Sequence, residues 1–367
     1  MKVAIVHDWL YGGGAELVVL ELHHMFPYAP IYTSYCSNEW RQKLDDKVVT
    51  GYMQHSPFRQ LRKFLPVLRQ RWFRHLDLSD FDLVISSSGN GEAKFVRVKP
   101  GAKHISYCHT PPHFLWRKYD EYLQNPSFRP KWLVRIGLKL LVKPLRQRDY
   151  NAAQLVDQFI ANSTHIQSDI KTFYGRDSVV IHPPVDTERF AGITHVATDK
   201  PSFILWGRHV PYKRFDIAVQ ACTQLGLPLT VIGNGPDTMR LKSLAGPTVT
   251  FTGWLESDGF ASHVSSASAF IFPAEEDFGI APVEAMAAGL PVIAYKSGGA
   301  LNYVVPGKTG EFFAEQTAES LAKTLQSFTS TSYDGNVITT HAEQFSEQKF
   351  RSRITNFLSS VSIEFSS

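Results

Sequence analysis

Residues 272–294 read FPAEEDFGIAPVEAMAAGLPVIA. An apolar strand ends at Phe272 and Pro273. An acidic turn follows, with Glu275, Glu276, Asp277 and Gly279. A helix of small residues begins near Ala281, and Gly289, Leu290 and Pro291 stop it ahead of a second apolar strand. Strand, polar turn and helix N-terminus in succession belong to a parallel α/β sheet, and the turn lies at its carboxyl edge, where such sheets bind ligands. Glu276 falls on the turn and Glu284 in the first turns of the helix, with residues 277–283 between them. A carboxylate so placed is a bidentate acceptor for the vicinal hydroxyls of a ribose or a hexose. Taken alone, a glutamate there is more often a partner of the helix dipole.

Working outward, the second half repeats the alternation. FILWG (203–207) leads into Arg208, His209, Val210, Pro211, Tyr212, Lys213 and Arg214. A helix over 215–225, the strand LTVIG (229–233) and AFIF (269–272) follow. Arg208 and Lys213 come directly after a strand. A planar guanidinium and a compact ammonium together suit the oxygens of a pyrophosphate, and with Glu284 on a ribose this half would hold a nucleoside diphosphate. If that diphosphate carries a sugar, the same cations stabilise it as it departs. No DxD-like pair stands at a strand end to hold a divalent ion, so metal-free chemistry is expected.

The first half opens with VAIVH and then Tyr11, Gly12, Gly13, Gly14, Ala15 and Glu16 ahead of an apolar-periodic helix. Three glycines between strand and helix turn the backbone tightly and leave N–H groups for a phosphate or sugar oxygen, or simply connect the two. The spacing is not that of the dinucleotide fingerprint, which disfavours a nicotinamide cofactor. KHISYC (103–108) ends in His109, Thr110, Pro111, Pro112 and His113. A histidine at a strand's carboxyl end before a proline-fixed turn is placed to face a cleft, although such a residue is more often structural.

Length allows two domains, and 43% hydrophobic with 20% charged residues are globular values. No apolar run is long enough to span a bilayer. The N-terminus reads as a first strand, not as a signal peptide. Three scattered cysteines (Cys36, Cys108, Cys222) fit neither a disulfide framework nor a zinc site and point to a reducing compartment. Residues 1–185 carry 25 Lys and Arg against 16 Asp and Glu, and the remainder 13 against 18, so the first half should meet something anionic. Two acid-free segments carry this charge. Residues 57–76 hold Arg59, Arg62, Lys63, Arg69, Arg71 and Arg74 among aromatic and aliphatic residues. In the second, Lys131, Arg135, Lys139 and Lys143 recur every fourth residue as one helical stripe, with Trp132, Leu133, Ile136, Leu140 and Leu141 mainly elsewhere around the axis. Such a helix suits an anionic membrane surface, or else is a solvated face over a buried one. Residues 186–200 are polar and read as the domain linker.

Together WGRHVPYKR, EEDFGIAPVE, GGGAE and SYCHTPP resemble the retaining glycosyltransferases of family 4, with the GT-B fold: α/β, two doubly wound Rossmann-like domains and an interdomain cleft. The resemblance runs the length of the chain in order. It implies an N-terminal acceptor-side domain over 1–185, a donor domain over 186–345, and a C-terminal helix within 346–367 that crosses back to the first domain. Catalytic roles fall on Arg208 and Lys213 at the donor diphosphate, on Glu276 at the sugar hydroxyls and on His109 near the reacting carbon. Gly13, Gly14, Asp277, Phe278, Gly279 and Glu284 would bind the donor, with Glu284 on the ribose. No metal and no cofactor is implied, the nucleotide-sugar being a substrate. Asp277 departs from the commonest pattern, in which glycine follows this glutamate. With CHTPP, that acidic variant resembles a subset of bacterial mannosyltransferases of surface polysaccharide synthesis, which favours GDP-mannose. The expected acceptor is a glycan or polyprenyl-diphosphate-linked saccharide, and the expected place is the inner face of the cytoplasmic membrane. A UDP-sugar-dependent transferase, a nucleotide-sugar epimerase and a non-catalytic sugar-binding protein are the alternatives. A nucleic-acid binder fits poorly, because the basic segments are interleaved with apolar residues and no recognition module is visible.

Overall fold

Runs rich in valine, isoleucine and phenylalanine, each ended by a polar or glycine-containing turn, become the strands of two parallel sheets. The computed structural model describes residues 1–61, 65–124, 126, 130–193 and 201–361. The chain divides into two units, one of Met1–Pro183 with Arg351–Ser367, the other Pro184–Phe350. In the first, β1 (Val3–His7), β2 (Ile31–Thr33), β3 (Val48–Thr50), β4 (Leu83–Ser88), β5 (Lys103–Cys108), β6 (Gln158–Ala161) and β7 (Ser178–Val180) lie in the order β3-β2-β1-β4-β5-β6-β7. In the second, β8 (Phe203–Trp206), β9 (Leu229–Ile232), β10 (Val249–Gly253), β11 (Ala269–Phe272), β12 (Val292–Tyr295) and β13 (Gly310–Phe313) lie in the order β10-β9-β8-β11-β12-β13.

Every pairing between these strands is parallel. Parallel strands need crossover helices on both faces, which explains why β4, β8 and β11 are buried along their whole length and the other inner strands at most of their positions. Each sheet reverses its winding once, between β1 and β4 in the first unit and between β8 and β11 in the second. Ligands of doubly wound sheets bind outside the carboxyl ends at such a switch point.

Residues 186–193 are not a linker. Glu188–Phe190 forms a short 3-10 helix, and Val185 and Phe190 are buried in the core of the second unit. The polar pattern misled because two apolar residues suffice to anchor that stretch; residues 194–200 lie outside the described residues. The chain leaves the second unit beside its entry: the Val185 N–H donates to the Phe345 carbonyl at 3.0 Å. Helix Glu347–Ser360 then carries the chain into the first unit, where Arg351 pairs with Glu21. Residues 362–367 lie outside the described residues.

The two basic segments fold differently. In the first, Arg62 and Lys63 lie outside the described residues. Arg69 is buried on helix Pro66–Arg74, pairs with Glu92 at 2.6 Å and covers the Trp9 ring, so it is not a surface cation. In the second, helix Lys131–Gln154 buries Val142, Leu145 and Asp149 but leaves Trp132, Leu133, Ile136, Leu140 and Leu141 all exposed. Its apolar residues are therefore not the underside of a solvated face. Among the described residues, no helix is long and apolar enough to cross a membrane.

Burial also sets a pH response in the first unit. His104, on β5, is buried against Ser86, 2.9 Å from its hydroxyl, and burial pushes the imidazole down to about 4. The folded state therefore binds no proton there until well below the ordinary histidine range. The unfolded chain takes one up near pH 6.5. This contribution is full above about pH 6.5 and is lost as pH falls toward 4, with a slope approaching about 1.4 kcal/mol per pH unit. Urea midpoints between pH 7 and 4.5 should fall less steeply in His104→Asn than in the parent. Equal slopes would remove His104 as the cause.

Candidate active site

The second unit gathers the predicted donor residues at its switch point. Strand β8 delivers Arg208 and Lys213, its neighbour β11 delivers the acidic turn, and helix Ile280–Ala287 delivers Glu284. The Lys213 Nζ lies 2.7 Å from Glu276 Oε1, with the two side chains only 16% and 21% exposed. Sequence reading assigned these residues to separate tasks, a diphosphate grip and a hydroxyl clamp. The fold pairs them instead, so each charge is partly neutralised before any ligand arrives. Arg208, in contrast, is exposed and has no ion pair among the described residues. Arg214, next to Lys213 in sequence, turns away to Asp216 and Gln316.

Glu284 accepts a 3.0 Å hydrogen bond from the Trp206 indole N–H. It is the fifth residue of its helix and has passed the first turn, where the dipole acts, so it is not a dipole partner. Burial raises its carboxyl above the ordinary value, opposed by the Trp206 bond and the charges of Arg189 and Lys213. For Lys213, burial pulls the ammonium down, but the charge and hydrogen bond of Glu276 outweigh it and hold it above the ordinary lysine value. Lys213 therefore carries its charge at neutral pH.

The acidic turn is held by its main chain. Gly299 N–H donates to the Glu276 carbonyl at 2.8 Å, the Tyr303 hydroxyl to the Phe278 carbonyl at 3.0 Å and the Gln316 amide to the Pro273 carbonyl at 2.9 Å. Gly298 and Gly299 make this close approach possible. A Cβ on Gly298 would lie 2.3 Å from the Glu276 oxygen, and one on Gly299 2.1 Å from the Phe278 oxygen. Phe278 is buried, Asp277 is partly exposed beside Glu276, and Gly279 (φ +86°) turns the chain into the helix.

At the first unit's carboxyl edge, Gly12, Gly13 and Gly14 follow β1 in an exposed loop. The Glu16 carboxylate accepts from the N–H groups of Tyr11 (3.2 Å) and Gly12 (2.9 Å) and so fixes the loop from inside. Gly13 and Gly14 keep theirs free of protein partners among the described residues. His109, following β5, is buried. Its Nε2 lies 2.8 Å from the Ser87 hydroxyl, which lies 3.1 Å from His7 Nδ1. Asp8, also at this edge, accepts from the N–H groups of Gly89, Asn90 and Ala93 and shapes the turn after β4.

Sequence reading missed Trp206 as the Glu284 partner, the charges of Arg189 and Asp186 that act on Glu284, and Gly298 with Gly299. A signal existed for the last pair, since a Gly-Gly step just past an apolar strand marks a close backbone approach. Nothing local marks Arg189, whose charge acts on Glu284 from a segment far away in sequence.

Residues 12–189 match the family model described as Glycosyltransferase Family 4, and residues 186–349 that described as Glycosyl transferases group 1. The chain is 29% identical over 177 residues to the GDP-mannose-dependent alpha-(1-6)-phosphatidylinositol monomannoside mannosyltransferase of Mycolicibacterium smegmatis, covering 40% of this chain and 46% of that protein. The matched stretch thus spans less than half of that relative. Alpha-1,3/1,6-mannosyltransferase alg2 of Schizosaccharomyces pombe is 23% identical over an alignment of 401 residues, covering 91% of this chain and 75% of that one. Among solved structures, Anabaena HepE in complex with UDP shares the fold, with a TM-score of 0.70 at 18% identity, covering 98% of this chain and 100% of that one.

Proposed function

The chain belongs to glycosyltransferase family 4 and has the GT-B fold, and we propose that it transfers mannose from GDP-mannose to a polyprenyl-diphosphate-linked saccharide, with retention of anomeric configuration. The observation that carries this reading is the Lys213–Glu276 pair beside Glu284 at the switch point of the second sheet. In the proposed reaction the acceptor oxygen bonds to the sugar's anomeric carbon on the face from which the diphosphate departs. The anomeric carbon–oxygen bond to the diphosphate breaks, and the acceptor's proton passes to a diphosphate oxygen. Lys213 and Arg208 meet the charge that develops on the leaving group, in place of a metal ion. Glu276 and the N–H groups around Phe278 and Gly279 hold the sugar hydroxyls, and Glu284 the ribose. Gly13, Gly14 and His109 serve from the first unit.

The GDP-mannose assignment is supported by the acidic residue at Asp277 and by relatives named for that donor. The membrane assignment is supported by the exposed apolar residues and lysines of helix Lys131–Gln154, and places the protein peripherally on the inner face of the cytoplasmic membrane. A thermal-shift screen of GDP-, UDP- and ADP-sugars tests the donor. GDP-mannose at 100 times its dissociation constant should stabilise by about 2.7 kcal/mol, and transfer should persist in EDTA. A larger shift with a UDP-sugar would move the assignment to that donor. Turnover of donor alone, seen by NMR, would indicate an epimerase.

A further inference from the structure

A second basic site lies in the first unit, away from the residues assigned above. Helix Pro66–Arg74 and the last turns of helix Lys131–Gln154 flank a groove of about 540 Å³, into which Arg71, Arg74, Arg97 and Arg148 converge. All four are exposed, and none has a carboxylate partner among the described residues. Four unneutralised guanidiniums around one groove repel each other, and each offers the planar fork that matches phosphate oxygens. Leu155, in the groove wall, stands three residues ahead of β6, so the groove opens toward the amino edge of the sheet. Gly13, Gly14 and His109 stand at the opposite, carboxyl edge.

The groove also has an apolar side. Val67 and Leu155 line it at 44% and 61% exposure. Along the same helix and its C-cap Leu155, Leu133, Leu140, Pro144, Arg148, Asn151 and Leu155 follow steps of three, four or seven residues, so the groove cation Arg148 and apolar residues share one face. A soluble phosphate would use only the cations. A phosphate joined to acyl chains would use both.

We propose that this groove binds the phosphate of an anionic glycerophospholipid, with the adjoining apolar face of helix Lys131–Gln154 against its acyl chains. The proposal rests on the membrane reading above and adds to it a defined headgroup site separate from the transfer site.

The test compares three proteins: the parent, the quadruple variant Arg71→Gln, Arg74→Gln, Arg97→Gln, Arg148→Gln, and a charge-matched control, Lys242→Gln, Lys308→Gln, Lys323→Gln, Lys349→Gln, in exposed positions of the second unit. Each is floated with phosphatidylcholine vesicles containing or lacking phosphatidylglycerol. Each is also titrated with dihexanoyl phosphatidylglycerol below its micelle concentration, with glycerol phosphate, and with a short oligonucleotide. The parent and control should float with anionic vesicles and bind the short-chain lipid at one saturable site, at least tenfold tighter than glycerol phosphate. The quadruple variant should lose at least tenfold in both assays while keeping its melting temperature.

If parent and quadruple variant float equally, the headgroup site is overturned and the membrane reading stands. If the parent does not float, the membrane reading falls, and loss of short-chain lipid binding in the quadruple variant alone still decides the groove. Equal affinity for glycerol phosphate and the lipid would assign the site to soluble phosphates. Tighter binding of the oligonucleotide would assign it to nucleic acid. Either result overturns the lipid.

Discussion

Lys213→Ala should lower kcat by about 10³-fold while leaving a folded protein, the scale expected when one positioned charge is removed from a developing anion. Two losses combine. The leaving diphosphate loses its ammonium, and Glu276 loses the partner 2.7 Å away that holds its largely buried carboxylate in place. The second loss appears in stability, because a carboxylate stripped of its partner costs more than the pair contributed. With both side chains about one-fifth exposed, about 1–2 kcal/mol is the expected scale. Glu276→Ala should likewise abolish transfer. The double variant should regain part of the stability lost by Lys213→Ala, since neither charge is then left unpaired, without regaining activity. Initial rates and urea titrations of all three variants check this. Near-normal turnover in either single variant would sink the assignment of the site.

Gly299→Ala should be nearly as damaging to transfer, through geometry alone. Its Cβ would lie 2.1 Å from the Phe278 carbonyl oxygen and 2.3 Å from the Phe278 Cα, and both are main-chain atoms that cannot swing aside. The strand-end segment must shift, the 2.8 Å bond to the Glu276 carbonyl is lost, and Glu276 moves with its backbone. We expect about 2–4 kcal/mol of destabilisation, the range of overpacked core sites, with kcat down at least about 10²-fold. Gly259→Ala is the control. It lies in helix Ser257–Ser265, where a Cβ would meet nothing nearer than 3.9 Å, and alanine there should be neutral or slightly stabilising. Normal melting temperature and turnover in Gly299→Ala would remove the Gly298–Gly299 step from the support of the site.

Much of the fold was legible because most strands announce themselves locally, the edge strand β13 being the exception. KHISYC and the helix Phe215–Leu225 appear in the structure with the bounds read from sequence. What no local pattern carries is strand order. That β8 lies beside β11, and β1 beside β4, decides which turns meet, and this comes from packing between segments far apart in the chain. The acidic turn and the WGRHVPYKR segment were therefore visible as separate motifs, whereas the ion pair joining them was not. Trp206 illustrates the same limit. It reads as one more apolar strand residue until the fold aims its N–H at Glu284. Residues 186–193 failed in the opposite way: their polar composition hid the buried Phe190 and an Arg189 close enough to act on Glu284.

The three clasps on the acidic turn, from Gly299, Tyr303 and Gln316, all close on main-chain carbonyl oxygens. None of them depends on which side chains positions 275–277 carry. The turn is thus a fixed socket with exchangeable fittings. Under the function proposed above, these three clasps survive a replacement of Asp277, and preference among sugars would drift by single substitutions there while the machinery that expels the diphosphate keeps its frame.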